Sequence, residues 1–228
     1  MPKIFQREID RLKKEILVLS AIVEESVQNA VRAIASRDSK LAQKVIETDS
    51  EIDQMEVDLE ESCLKVLALH QPVAIDLRFI VTVLKINNDL ERIGDLAVNI
   101  AQRAGFLALR PKVNIRLNLT EMAERAQEML HKSLDALINM DPILAKSVCA
   151  SDDVIDNMHE EMYRVVEDTI REKPDEINSL IQLLSVSRQL ERIADHATNI
   201  AEDVIYMVTG VISRHRQGEL RPDAEMKP

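Results

Sequence analysis

The sequence predicts an all-α protein made of two similar halves, each an antiparallel three-helix bundle, so that six long helices form two pseudo-repeats. Residues that interrupt helices or favour strands are scarce: the chain has 4 Gly, 7 Pro and 2% aromatic residues, against 46% hydrophobic and 30% charged residues. The stretch Glu91-Arg92-Ile-Gly-Asp95 also returns 100 positions later as Glu191-Arg-Ile-Ala-Asp195. A copy at a fixed offset indicates an internal repeat.

The first half reads as three long helices. Apolar residues at intervals of three and four predict the first helix from Ile4 to Ser36. Asp38 is a candidate N-cap for the second helix, which we expect to end near His70, before Pro72. A third helix follows to about Phe106, and its wide apolar arc predicts that it is the most buried of the three.

The second half repeats this pattern after a break. The segment Leu109-Arg110-Pro111-Lys112 ends the third helix, and we place the linker between the bundles there. A fourth helix runs to Asn139, and Asp141-Pro142 begins one continuous fifth helix, which meets the sixth at the Lys173-Pro174 turn. The predicted domains are 1–109 and 110–213, followed by a flexible tail at 214–228.

Composition argues against several functional classes. Forty acidic against 29 basic residues give a net charge of -11, which disfavours binding to nucleic acid. No apolar run is long enough to span a membrane and the start lacks the pattern of a signal peptide, so we expect a cytoplasmic protein. Cys63 and Cys149 occupy non-equivalent positions in the repeat, which favours packing roles over a disulfide or a zinc site.

Each half carries a candidate cluster of acidic side chains. In each copy of the repeated stretch, Glu, Asp and Asn recur every four residues and therefore line one stripe of a helix. Antiparallel helices joined by a short turn place residues equidistant from the turn side by side. Asp49 and Asp95, like Asp53 and Glu91, are equidistant from Pro72, and the second half has the same relation about Lys173-Pro174. The predicted sets are Asp49, Asp53, Glu91, Asp95 and Asn99 in the first half, and Asp152, Asp156, Glu191, Asp195 and Asn199 in the second.

The chemistry of these sets favours a metal ion. Four carboxylates held together repel one another unless protons, basic side chains or cations compensate them. Oxygen donors suit hard cations such as Mg²⁺, Ca²⁺, Mn²⁺ and iron, and zinc stays open as a further candidate. On a helical projection the acids flank the apolar arc, which predicts partly exposed sites between helices.

Two other interpretations compete with the metal site. The acids could form an ordinary solvated face, paired with arginines such as Arg92 and Arg192. A carboxylate-bridged metalloenzyme, oxidase or hydrolase, is the functional alternative. Ferritin-like oxidases use Glu-x-x-His on two helices, whereas the acid-x-x-His near the cluster here is Asp156-Asn-Met-His159, with Glu56 at its counterpart. We therefore leave His159 and His196 outside the site and predict a binding protein with no catalytic residues, not an enzyme.

Several motifs together resemble the PhoU family of bacterial phosphate-transport regulators. They are the doubled Glu-Arg-Ile-x-Asp stretch, Asp49-Ser-Glu-Ile-Asp53, Leu-His70-Gln-Pro72 and Asp76-Leu-Arg78, within a resemblance that covers about residues 4–212. The resemblance implies two three-helix bundles, frequent dimers, and acidic motifs that can hold multinuclear metal clusters, iron among them. The implied role is a negative regulator of phosphate uptake and phosphate-starvation signalling, which couples the ATPase subunit of the phosphate ABC transporter to a membrane sensor histidine kinase. The resemblance also implies that the protein reaches the membrane only through these partners.

Overall fold

The structure is a computed structural model that describes residues 3–115 and 117–211, so the predicted tail at 214–228 lies outside the described residues. Within these ranges the chain forms helices and no strands. In chain order these are α1 (Lys3–Ser36), α2 (Ser39–His70), α3 (Ala74–Ala108), α4 (Leu119–Asn139), α5 (Pro142–Cys149), α6 (Asp152–Glu172), a single-turn 3₁₀-helix (Pro174–Glu176) and α7 (Ile177–Thr209). The all-α class and the six long helices are confirmed.

The helix starts in the two halves use the same chemistry. The carboxylate of Asp38 accepts hydrogen bonds from the backbone N–H groups of Lys40 and Leu41 at the start of α2. The carboxylate of Asp141 does the same at the start of α5, where Pro142 occupies the first turn. Both aspartates therefore satisfy amides that have no partner within the helix, as the sequence predicted.

The prediction of one continuous fifth helix was wrong, because the chain breaks into α5 and α6 at Ala150 and Ser151. The Ser151 amide bonds the carbonyl oxygen of Val148, three residues back, and its hydroxyl donates to the carbonyl oxygen of Ser147. The break places Asp152 in the first turn of α6, where the N-terminal end of the helix dipole favours negative charge.

Helices α3 and α7 lie at the centre of the molecule. α3 packs against α1, α2 and α7, while α7 packs against α3, α4, α5 and α6. α3 also carries more buried residues than α2, for example Ile86, Leu90, Ile93 and Ile100. A single cluster of buried side chains runs from α1 to α7 and joins the two halves. Helix α3 ends at Ala108 and α4 begins at Leu119, and the domain bounds 1–109 and 110–213 stay a prediction.

Candidate metal centres

Two helical hairpins position the predicted acids. In the first, α2 and α3 meet at a turn in which Gln71 adopts left-handed backbone angles and its amide bonds the carbonyl oxygen of Leu67. In the second, α6 and α7 meet through the 3₁₀ turn at Pro174. Each hairpin brings one acidic stripe of the earlier helix to the Glu and Asp of the later one, about 30 Å from the turn by the helical rise.

The first cluster contains Asp49, Asp53, Glu91 and Asp95. Asp49, Glu91 and Asp95 are half-buried and Asp53 is exposed. Glu91 Oε2 is shielded from solvent without a well-aligned hydrogen bond, although Arg92 Nε lies 3.3 Å away. Arg92 also approaches Asp95 at 3.4 Å. Arg92 therefore pairs with acids of the cluster, as the interpretation of a solvated face predicted. Its single positive charge does not balance the four carboxylates.

Burial, together with mutual repulsion, raises the pKa of two carboxylates in this cluster. Burial, followed by the charges of Asp53 and Asp95, raises the pKa of Asp49 above its ordinary value. Burial and the neighbouring Asp95 raise the pKa of Glu91, and Arg92 opposes this rise only in part. These interactions indicate that the four carboxylates share one electrostatic environment.

In the second cluster, Asp156, Glu191 and Asp195 each offer an oxygen within 4.8 Å of the others. Asp152 completes the cluster from the first turn of α6 and accepts a hydrogen bond of 3.2 Å from the Thr198 hydroxyl. Asp156 and Asp195 are exposed, whereas Asp152 and Glu191 are half-buried. An ion could therefore reach this cluster from solvent.

In the second cluster, the pKa of Asp152 is strongly raised. Burial, then the charges of Asp195 and Asp156, raises the pKa of Asp152 to about 6, although the bond from Thr198 favours the charged form. Burial raises the pKa of Asp156, Glu191 and Asp195 as well, and other carboxylates add to each rise. A cation that stabilised the ionised forms would remove this penalty.

Gly94 permits the close approach of α3 to α2 at the first cluster. A Cβ atom at this position would lie 3.2 Å from Ile52 Cγ2 and 3.9 Å from Asp49 Oδ1. Ile52 is fully buried and has little room to move. The absence of a side chain at Gly94 therefore helps to bring Asp49 and Asp95 together.

The two asparagines differ from the acids in their placement. Asn99 is half-buried on α3. The Asn199 amide nitrogen lies 3.4 Å from Asp89 Oδ1, and His196 Nδ1 lies 2.7 Å from the same oxygen. Asn199 therefore connects α7 to α3, along a groove of about 1070 Å³ that Asp152 and Asp195 also line. The Asp89–His196 contact links the two copies of the repeated stretch directly.

Each hairpin also has a side-chain contact between its two helices that we did not predict from the sequence. In the first half, Asn87 Nδ2 donates to the Glu56 backbone oxygen at 2.9 Å and lies 3.3 Å from Glu56 Oε1. In the second half, His159 Nδ1 lies 2.9 Å from the Ser187 hydroxyl. Ser187 follows Asn87 at the repeat offset of 100, and His159 is the counterpart of Glu56. The two contacts are therefore equivalent in the repeat: one joins α6 to α7 and the other joins α2 to α3. The same offset that revealed the acids could have revealed these pairs.

The donor types fit a hard metal ion. Within residues 3–115 and 117–211, Asp156, Glu191 and Asp195 are the set that brings three such oxygens within 4.8 Å of one another, whereas the acids of the first half do not meet that spacing. Both clusters present carboxylate oxygens from two helices, and Glu91 Oε2 is a shielded oxygen without a well-aligned donor. If a cation is held, Asp49, Asp53, Glu91 and Asp95 would hold it in the first half, and Asp152, Asp156, Glu191 and Asp195 in the second. The ion would supply positive charge that fixes the spacing of the two helices of each hairpin.

In the part of the chain that the structure describes, no helix combines the length and apolar character needed to cross a bilayer.

Comparison with known proteins gives consistent matches. The chain matches the family model described as "PhoU domain" twice, over residues 16–104 and 119–204. It is 39% identical over 210 residues to the phosphate-specific transport system accessory protein PhoU homolog of Aquifex aeolicus, covering 92% of this chain and 95% of that protein. The homolog of the same description from Pseudomonas aeruginosa is 38% identical over 216 residues, covering 92% and 88%.

Solved structures agree with these matches. The crystal structure of PhoU from Pseudomonas aeruginosa superposes with a TM-score of 0.88 at 38% identity, covering 91% of this chain and 100% of that chain. The phosphate transport system regulatory protein PhoU from Streptococcus pneumoniae superposes with a TM-score of 0.79 at 31% identity, covering 91% and 98%. The two matched segments contain all ten predicted site residues.

Proposed function

Because this chain belongs to the PhoU family, we propose that it is an accessory protein of a phosphate transport system, and that it represses phosphate uptake and phosphate-starvation signalling when phosphate is plentiful. The observation that carries the proposal is the double family match over both acidic hairpins, at high coverage of relatives that are named accessory or regulatory proteins. The protein acts in the cytoplasm by binding, with no chemical turnover of its own.

The proposed partners are the ATPase subunit of the phosphate ABC transporter and a sensor histidine kinase, with a homodimer as the working assembly. A regulator without catalytic turnover shifts a partner's equilibrium only if it binds that partner's states with different affinity. The acidic surface of the chain favours partners with basic patches, and long-range attraction between such surfaces depends on ionic strength.

Metal ions at the two acidic clusters are part of this proposal. Cations there, iron among the candidates, would hold the paired helices of each hairpin at fixed spacing and would lower the negative charge of the docking surface. The raised pKa values of Asp49 and Asp152 support this role, because they indicate that the clusters are under electrostatic stress without a cation.

The regulatory role is tested by deletion and complementation. We expect deletion of the gene to leave phosphate-starvation genes expressed in phosphate-rich medium, and the intact gene to restore repression. Normal repression in the deletion strain would remove the regulatory role.

The metal role is tested separately with the double variant Glu91→Ala/Glu191→Ala. Elemental analysis of protein purified without chelator should find metal in the wild type and less in the variant. The matched control is Glu47→Ala/Glu124→Ala, which removes two exposed acids outside the clusters. Equal metal content in all three proteins would refute the assignment of the sites, whatever the regulatory phenotype.

The docking face is tested by charge reversal at Glu91 and Asp95. If this edge contacts the partners, the reversed variant should bind the transporter ATPase and the kinase more weakly, with a changed dependence on salt. Unchanged affinity in a folded variant would place the interface elsewhere on the protein.

A further inference from the structure

One end of the first bundle exposes an unusual group of aliphatic side chains. We define the first tip as residues 4–14 of α1 together with residues 65–78, which span the α2–α3 turn. The rings of Phe5 and His70 lie 5.2 Å apart between centroids, which places the start of α1 beside this turn. The most exposed aliphatic residues of the first tip are Ile4 at 64%, Leu69 at 71%, Val73 at 75% and Ile75 at 69%. Such a grouping indicates a surface that contacts something else.

The first tip is also basic, although the chain as a whole is acidic. It contains six basic and three acidic residues, a net charge of +3, whereas the whole chain carries -11. Just outside it, Glu15 pairs with Arg11, and Glu15, Asp58 and Glu61 line the same groove as Lys14 and Lys65, so the positive charge is concentrated towards the end that carries Arg7 and Lys13. Arg7, Lys13, Lys14 and Lys65 are exposed, and within residues 3–115 and 117–211 none of these four makes an ion pair. The acidic clusters lie about 30 Å along the helices from this end, several Debye lengths away, so they do not cancel its charge.

The second hairpin supplies an internal comparison. At the repeat offset of 100, the counterparts of Val73 and Ile75 are Lys173 and Asp175. Residues 165–180, which we call the second tip, contain five acidic and two basic residues, a net charge of -3, whereas the matching residues 65–80 contain two basic and one acidic residue, a net charge of +1. Arg171 there is already paired with Glu167 and Asp168. The repeated fold therefore does not itself require an apolar, basic end.

We propose that the first tip docks on the anionic surface of a lipid bilayer. Aliphatic side chains among unpaired lysines and arginines provide the two signals, insertion and charge, that together hold a protein reversibly at such a surface. The apolar residues lie at the ends of three helices and in the α2–α3 turn, an arrangement that suits a flat and deformable bilayer, whereas recognition of a protein segment usually relies on a groove. The contact orients both bundles end-on to the membrane, with the acidic clusters held away from it.

The test is binding of the full-length protein to vesicles, with chelator present so that metal ions cannot bridge acidic residues to lipid. Phosphatidylcholine vesicles with and without phosphatidylglycerol are compared by flotation at low and high salt. We expect the protein to float with the anionic vesicles only, and to be released by salt.

The decisive variant is Val73→Asp. Val73 is the N-cap of α3 and makes no side-chain capping bond, so aspartate there improves the cap while it removes an apolar group and adds negative charge. Binding to anionic vesicles should fall by about tenfold or more, with no loss of thermal stability. The matched control, Ile177→Asp, places the same charge at the start of α7 in the second tip and should leave vesicle binding unchanged.

Two results would overturn the proposal. One is a wild-type protein that does not float with anionic vesicles; if a soluble partner domain still bound it and Val73→Asp weakened that binding, the first tip would belong to an acidic protein instead. The other is equal flotation of the wild type and Val73→Asp, which would place any lipid contact elsewhere.

Discussion

The electrostatic stress at Asp152 leads to a prediction whose sign depends on metal. Replacing Asp152 with Asn removes one negative charge from the second cluster and leaves the shape of the side chain nearly unchanged. We expect Asp152→Asn to stabilise the metal-free protein at neutral pH, because burial and the neighbouring carboxylates disfavour the charged form of Asp152. We expect the same change to destabilise the metal-loaded protein, because there the carboxylate would bind the ion.

The magnitude follows from the pKa of Asp152, which burial and the neighbouring carboxylates raise from its ordinary 3.8 to about 6. A shift of this size corresponds to about 3 kcal/mol if it is fully expressed. Asp152 is only half-buried, so solvent screening reduces the expected effect to about 1 kcal/mol. The Asp152 carboxyl group binds its proton more tightly in the folded protein than in the unfolded chain. The destabilisation by ionised Asp152 is therefore present above pH 6 and disappears as the pH falls from about 6 towards 3.8.

The assay is urea denaturation of chelated protein between pH 7.5 and pH 5, values chosen to bracket the shifted pKa. The difference in free energy of unfolding between Asp152→Asn and the wild type should be largest at the neutral end and shrink on acidification. His159, whose pKa burial lowers, acts in the opposite direction over this range, but it is present in both proteins and largely cancels in the difference.

The control for this experiment is Asp153→Asn, which changes the exposed neighbour in the same helical turn. A wild type that is more stable than Asp152→Asn when chelated, or a difference that grows on acidification, would refute the reasoning. Because the charge of Asp153 also adds to the raised pKa of Asp152 and of Asp156, we expect Asp153→Asn to have a smaller effect of the same sign. An equal or larger effect would show that the stabilisation comes from the start of α6 and not from Asp152.

Two further substitutions test the packing that supports the site. Gly94→Ala should lower the free energy of unfolding by about 1 kcal/mol in thermal or urea unfolding, because the new Cβ would lie 3.2 Å from Ile52 Cγ2 and overpacking outweighs the gain in helix propensity; a more stable variant would contradict this. Lys85→Met should cost about 2 kcal/mol, because Lys85 Nζ lies 3.1 Å from the buried Asp203 carboxylate, and an unchanged midpoint would show that this contact contributes little to the packing of α3 on α7.

Local patterns in the sequence predicted most of the helices and which acids face one another across each hairpin. The N-caps Asp38 and Asp141 act within one turn of their own helices, so their roles can be read from neighbouring residues. The convergence of Asp49 with Asp95 follows from the position of the turn alone, since an antiparallel hairpin fixes which residues face each other. The doubled stretch was also enough to indicate the family, because both copies keep the same acidic residues at the same helical spacing.

Contacts between distant segments were decided only by the tertiary structure. The break at Ala150 and Ser151 could not be read from periodicity, because the matching positions in the first half, Glu47 and Thr48, stay within a continuous helix. The pairing of Asn199 and His196 with Asp89 depends on how α7 lies against α3, and neither helix specifies that arrangement by itself. Helical spacing determines which side chains share a face, whereas the face that meets another helix is chosen by the packing of the whole core.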